Sequence, residues 1–557
     1  MNTHTKRIRM RKLFIAAVAM LAILPACSQK KQDDRNFEIV KNLDVFNYIY
    51  RELDLFYVDS IEAKDMIRTG LNAIFNRLDP YTVYYSEDEI EELKIMTTGK
   101  YGGIGSIIRM REDSTVIIHE PYEGMPAAEV GLQVGDILMK IDDTDLKGKT
   151  TSEVSDLLRG EPGTTFALKI QRPGEKKARQ FKVTRRNIKT PTIPYSGLYG
   201  TTGYISFTQF TENSAQDVRR AFISLKEKGA QSLVLDLRGN GGGSLAEAVD
   251  IVNLFIPKGK TVVDVKGKAR SSNASYKTRT EPLDTVMPIT ILVNGITASS
   301  AEIVSGALQD FDRAVIIGSK TVGKGLVQSV RQLPYNGNLK LTTAKYYIPS
   351  GRCIQEIDYK SLRNKTTDGK TPDSLKHTFF TAGGRKVLDA GGITPDVEVD
   401  RDTLPNILFY LSNDDVLIDY GTRYFQSHAT IPPVSQFEIT DRDFEDFKKM
   451  VMESDFEYDR LSDKRLQELK KVAEFEGYLK EAEAEFKALE KKLEHNLERD
   501  LDNFKKDIKM LMAQEIIKRY YYQAGIIEQQ LKDDPDFKRA LEILGNKEEY
   551  NKILGKK

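Results

Sequence analysis

Between Thr190 and about Asp400 the chain alternates apolar strands with helices, and this pattern constrains its fold more than any other feature. It runs GYISFTQF, NSAQDVRRAFISLKEKG, SLVLDL, the loop RGNGGGS, LAEAVDIVNLFI, ITILVNG, SSAEIVSGALQDF and AVIIG. Strands this continuously apolar need cover on both faces, so the stretch predicts an α/β sheet with helices packed on it. At 557 residues the chain has length for about three or four domains, so a multidomain α/β protein is expected.

The flanks differ in character. Residues 6–12 (KRIRMRK) are basic, residues 13–24 (LFIAAVAMLAIL) are apolar, and Pro25, Ala26 and Cys27 follow. Twelve apolar residues are too few to cross a bilayer, which takes about 20, and the run reads as a signal-peptide core. Its Leu24-Pro25-Ala26-Cys27 end resembles a bacterial lipobox, which implies a signal over 1–26, lipidation at Cys27 and a polar leash over 27–36. An ordinary secretory signal is the alternative. Residues 37–96 read as a helical N-terminal segment, halted near Asp79-Pro80 because proline disfavours the helical region for its predecessor.

Residues 97–187 form a strand-rich module. Tyr101-Gly102-Gly103-Ile104-Gly105 precedes SIIRMREDSTVIIHEP, then GMPAAEVGLQVGDILMKIDD, the helix TTSEVSDLLRG and two strands. This run resembles a PDZ domain, with Gly102, Gly103, Ile104 and Gly105 as the loop for a peptide carboxylate and an adjacent strand edge for the peptide backbone. After about 401 the chain turns helical and charged. Phe486, Leu489, Leu493, Leu497, Leu501, Phe504, Ile508 and Leu511 mark one apolar stripe on a long helix, buried in a hairpin within the chain or against a partner.

Several chemistries are disfavoured. The 83 Lys+Arg balance 82 Asp+Glu, which gives no electrostatic reason to expect nucleic acid. Two cysteines and five histidines argue against a disulfide scaffold and a metal site. Gly318–Gly325 approaches a phosphate-binding loop, but Gly325 stands where a magnesium-binding hydroxyl is needed. Gly239–Ser244 mimics a dinucleotide loop, yet Ser244 replaces its third glycine. No cofactor is expected.

Ser299 and Ser300 open a helix after an apolar strand, where free N–H groups and the helix dipole favour an oxyanion, although serine is equally a common N-cap. His4, His119, His377, His428 and His495 lie nowhere informative as a base. A desolvated lysine could serve instead, since burial disfavours the ammonium, and Lys324 sits between Gly323 and Gly325 after the next strand.

The segments NGITASSAEIVSGALQD (294–310) and IIGSKTVGKGLVQ (316–328) resemble the carboxyl-terminal processing peptidases, the tail-specific Ser-Lys proteases of family S41. DLRGNGGGSL, YYIPSGRCIQ, GGITPDVEV and LDPYT extend the likeness over about 40–400, in the family's order. The resemblance implies a crotonase/ClpP-like serine protease core over 188–400 with an inserted PDZ domain, a helical N-terminal segment and a helical C-terminal domain over 401–557. It implies Ser299 as nucleophile, Lys324 as base, Gln328 as the residue orienting that lysine, Gly242 and Ser300 as oxyanion donors, and Glu302, Asp310 and Thr321 as supports. The family's alternating Ser-Ala-Ser-Ala-Ser reads Thr297-Ala298-Ser299-Ser300-Ala301 here, so Ser300 stands as a neighbour that could confuse a test of Ser299. The implied partners are proteins with accessible C-terminal tails, a membrane through the lipid anchor, and a homodimer or adaptor at the C-terminal helices. The implied location is the bacterial cell envelope, facing the periplasm or the surface. A non-catalytic tail-binding scaffold and a crotonase-like acyl-CoA enzyme are the alternatives.

Overall fold

The computed structural model describes residues 34–364, 368–400, 404–493 and 496–556. The signal, the lipobox with Cys27, and His495 lie outside them. Two compact units divide between Arg77 and Leu78. In the first, residues 34–56 and Ala63–Asn76 are helical.

The segment 78–96, expected to finish the helical N-terminal segment, belongs instead to the second unit. Asp79 is the reason, because its carboxylate accepts the backbone N–H groups of Tyr81 and Thr82, both at 2.8 Å, and folds the chain into a turn. The strand Val83–Tyr85 then pairs antiparallel with Asn338–Tyr347, and the helix Ile90–Thr98 follows.

The α/β core is a six-stranded sheet in chain order: β1 (Tyr195–Tyr199), β2 (Thr202–Ser206), β3 (Ser232–Asp236), β4 (Ile289–Val293), β5 (Val315–Gly318) and β6 (Val397–Glu398). Only β1 runs antiparallel to its neighbour. Side chains alternate between faces along each strand. Leu233, Leu235 and Ile291 pack with Phe222, Val252, Ile303 and Leu308 of the helices Ser214–Glu227, Leu245–Asn253 and Ser300–Asp310. Val234, Leu292, Val315 and Ile317 point the other way, onto Phe537, Ala540, Ile543 and Tyr550. The last two helices, Pro535–Gly545 and Lys547–Ile553, therefore cover the second face of this sheet.

The predicted long helix is also divided. Helices occupy Glu483–Lys492, Leu497–Asn503 and Lys505–Leu531, the second capped by the Asn496 side chain on the Arg499 amide. Only the later part of the stripe is buried within the chain, Leu501 and Ile508 packing with Phe444, Phe447 and Val451, whereas Leu489 stays exposed.

In the PDZ module the strands run Ser106–Met110, Val116–Pro121, Ile137–Ile141, Thr165–Gln171 and Arg179–Thr184 across the sheet. Ser106–Met110 is thus an edge strand, with the helix Thr151–Leu158 started by a Thr150–Glu153 capping box. The module is braced by the C-terminal helices. Arg111 pairs with Asp419 at 2.8 Å and with Asp415 at 3.1 Å, and burial beside Lys518 pushes the His119 imidazole down to about 4.

Candidate active site

The site forms where the loops after β3 and β4 meet, at the carboxyl ends of adjacent parallel strands. Asn294 and Thr297 lace them together. Asn294 Oδ1 accepts the Gly239 amide at 3.1 Å, and Thr297 Oγ1 donates to the Leu237 carbonyl at 2.9 Å. The Ala298 amide reaches the Asn240 carbonyl at 3.0 Å. These ties force a sharp turn at Ser299, whose φ of 56° and ψ of −118° lie where a side-chain-bearing residue is strained. Ser299 is half-buried, and the helix Ser300–Asp310 departs from it with its positive end at the serine.

One carboxylate organises the surroundings. Glu302 is fully buried. Its Oε2 accepts the amides of Ser299 at 2.8 Å and Lys324 at 2.9 Å, while its Oε1 accepts the Gly323 amide at 2.7 Å and the Thr321 hydroxyl at 2.5 Å. Burial pushes its carboxyl up, and the donors oppose that shift. The loop carrying Lys324 is thereby fastened to the turn carrying Ser299. Thr321 is held in turn, since its hydroxyl accepts the Ile393 amide at 2.7 Å.

Lys324 is itself largely withdrawn from water. Burial, reinforced by the like charge of Lys340, pushes its ammonium down to about 8 against the pull of Glu302 and Asp79. Among the described residues no hydrogen bond joins its Nζ to Ser299. The Nζ lies instead over the Tyr81 ring, 4.2 Å from the centroid.

Other expected residues stand differently. Gln328, expected to orient Lys324, donates its side-chain amide to Thr342 Oγ1 at 3.2 Å, because the strand Leu326–Gln332 sets it opposite Thr342. The Gly242 amide, expected as an oxyanion donor, is taken by Asn240 Oδ1 at 2.9 Å. Gly242 itself is pressed against the turn. A Cβ there would lie 2.7 Å from Ser299 Cβ, 2.8 Å from the Ala298 carbonyl oxygen and 2.9 Å from the Ser300 nitrogen. Ser300 is 1% exposed and its hydroxyl donates to the Gly243 carbonyl at 2.9 Å, which removes it as a rival to Ser299. Its amide takes no acceptor among the described residues. Asp310 closes the far end of the helix, about 15 Å away. There it pairs with buried Arg352 at 2.9 Å and accepts the Ser350 amide. It supports the fold, not the site.

In the PDZ module Gly102 and Gly103 lie in a strand, Lys100–Gly103, paired with Arg186–Lys189. The Ile104 carbonyl accepts the Ala127 amide at 2.8 Å, and Gly105 turns with φ of 71° into the edge strand. Gly102 is required by close approach, since a Cβ would lie 2.0 Å from the Gly160 carbonyl oxygen. Tyr81 was not singled out from sequence, although LDPYT was. The signal available was an aromatic residue directly after an Asp-Pro turn.

Comparison with known proteins agrees with this architecture. The Peptidase family S41 profile matches residues 201–374, the PDZ domain profile 117–172, and the profile for the C-terminal helical domain of a probable PDZ-protease 407–544. The fold and these matches define a serine-type peptidase. A carboxy-terminal-processing protease of Bartonella bacilliformis is 34% identical over 354 residues, covering 63% of this chain and 81% of that protein. A probable CtpA-like serine protease of Staphylococcus aureus is 31% identical over 363 residues, covering 63% and 71%. Among solved structures, a photosystem II D1 C-terminal processing protease matches at 26% identity and a TM-score of 0.35, over 64% of this chain and 88% of that one. The chain belongs to the carboxy-terminal-processing protease family of S41 peptidases.

Proposed function

We infer that this peptidase works through a Ser299–Lys324 dyad on proteins with accessible C-terminal tails, forming an acyl-enzyme. Neutral Lys324 takes the Ser299 proton, and the serine oxygen attacks the scissile carbonyl. The Ser300 amide, with donors of the Gly-rich loop, holds the developing oxyanion. For Gly242 to contribute, its amide must leave Asn240. The lysine then returns its proton to the leaving amine, and water releases the acyl group.

The observation that carries this reading is Glu302, which holds the backbones of Ser299 and Lys324 on a single carboxylate oxygen. A scaffold has no use for a strained serine so tied to a desolvated lysine. Tails enter, on this reading, as an added strand along Ser106–Met110 with their carboxylate at Gly102–Gly105, and the PDZ module gates the catalytic loops as well as docking the substrate. With Cys27 lipidated, the enzyme acts from a membrane anchor on envelope proteins outside the cytoplasm.

The test compares wild type, Ser299→Ala, Ser300→Ala and Lys324→Ala on an unfolded protein with a free apolar C-terminal tail, with fragments read by mass spectrometry. Cleavage is expected from wild type and Ser300→Ala alone. Cleavage surviving in folded Ser299→Ala or Lys324→Ala refutes the dyad.

A further inference from the structure

The Lys324 ammonium has an aromatic neighbour in the place of a contacting carboxylate. Its Nζ sits 4.2 Å from the Tyr81 ring centroid, and among the described residues it forms no ion pair. The ring is held from two sides. Asp79 fixes its backbone by accepting the Tyr81 amide at 2.8 Å. Tyr359 meets it edge-on, with centroids 6.2 Å apart and planes at 85°, and donates its hydroxyl to the Tyr81 oxygen at 3.4 Å. Such bracing suits a ring whose position matters.

We propose that Tyr81 is a positioning residue for the reaction: its ring face holds the Lys324 side chain and stabilises the charge that lysine acquires on taking the serine proton. The inference rests on Lys324 being the base. In that step the Ser299 O–H bond breaks, an N–H bond forms on Lys324, and the freed electron pair makes the new C–O bond to the substrate carbonyl. The base must be neutral beforehand and charged afterwards. A carboxylate against Nζ would keep it charged throughout, whereas a wholly apolar wall would oppose the proton transfer. A ring quadrupole lies between these, attracting the cation without forming a full ion pair.

The charged and titratable groups around Lys324 leave that task open. Lys340, from the strand Asn338–Tyr347, repels the ammonium, while Glu302 and Asp79 attract it. Glu302 spends both oxygens on other donors, and Asp79 caps its own turn and bonds the Thr82 hydroxyl. The Tyr359 phenol engages the Tyr81 oxygen.

The test is the pH profile of kcat/KM for the full-length enzyme with Tyr81→Phe, Tyr81→Leu, and phenylalanines of increasing fluorination at position 81. Fluorination keeps the ring's shape while draining its negative face, so folding is preserved. Tyr81→Phe is expected to leave the acid limb in place. Tyr81→Leu should move that limb to lower pH by about 0.5–1 unit, because the ammonium loses its stabilisation, and lower the plateau several-fold. The fluorinated series should move it stepwise in the same direction. An unmoved limb across that series, or Tyr81→Phe behaving like Tyr81→Leu, overturns the assignment. Lys324→Ala separates the two levels of inference. If it keeps activity, the dyad fails; if it is inactive while the fluorinated series does not shift, Tyr81 alone is wrongly assigned.

Discussion

The Gly-rich loop offers a test in which conformational strain and contact with Ser299 are separable by position. Gly241 has no positive φ and nothing within 4 Å of a built Cβ; Gly239 has φ of 70° and an equally open surround; Gly242 combines φ of 95° with contacts of 2.7, 2.8 and 2.9 Å to Ser299, Ala298 and Ser300. Alanine at 241 should cost less than about 0.5 kcal/mol. At 239 it should cost about 1–2 kcal/mol, from the left-handed backbone alone. At 242 a comparable strain is joined by overpacking worth about 1–3 kcal/mol. Ordinary carbon contacts begin near 3.5 Å, so either the loop or the Ser299 turn must retreat by roughly 0.6–0.8 Å. A displacement of about 1 Å at a reacting group costs on the order of 100-fold in rate. The assay pairs urea denaturation with tail-cleavage kinetics and fluorophosphonate labelling of Ser299. Stability should fall in the order 241, 239, 242, while labelling collapses only at 242. If Gly242→Ala labels as fast as Gly241→Ala, the loop does not buttress the serine. If Gly239→Ala loses as much labelling, backbone strain rather than contact is responsible.

Two further outcomes follow from the charges. Glu302→Gln puts an NH2 group opposite either the Ser299 and Lys324 amides or the Gly323 amide and Thr321 hydroxyl, at about 1–3 kcal/mol per stranded donor. It should lower both urea stability and kcat/KM, and wild-type values in both would refute the hub role. Lys340→Met removes a like charge, so Lys324 should titrate above its present value of about 8 and the acid limb of kcat/KM should move to higher pH. Lys340→Arg should leave the limb in place, and a downward shift in the methionine variant would contradict the sign.

Local pattern carried most of what was legible. The apolar strands SLVLDL and ITILVNG, the loop RGNGGGS and the serines at a helix start announced a sheet with a site at its strand ends. The PDZ run likewise carried its turns, caps and alternation within about ninety residues. What escaped depends on contacts distant in sequence. Phe537 and Tyr550 read as part of one more charged helical tail, and only the sheet face of Val234 and Leu292 shows why they are apolar. Gln328 could be aligned with a motif, but which group its amide reaches is set by pairing of its strand with Asn338–Tyr347. Gly242 could be singled out from the loop RGNGGGS, while the fate of its amide turned on Asn240 nearby.

The groups that tune Lys324 also explain why Asp79 and Tyr81 matter beyond halting a helix. Burial and Lys340 drive the ammonium toward neutrality while Glu302 and Asp79 resist, with the Tyr81 ring against it, a balance that suits the base of the proposed dyad. Of these, Glu302 is locked in the core, but Asp79 and Tyr81 belong to a short arm fixed to the strand Asn338–Tyr347 by Val83–Tyr85 and by the Thr342 amide bonding Thr82 Oγ1 at 3.3 Å. The same stretch continues through Met96, whose sulfur takes the Lys340 ammonium at 3.9 Å, to the strand Lys100–Gly103 of the PDZ module. A shift of this arm would therefore alter the charge on Lys324 while leaving the Ser299 turn, held independently by Glu302 and Asn294, where it is.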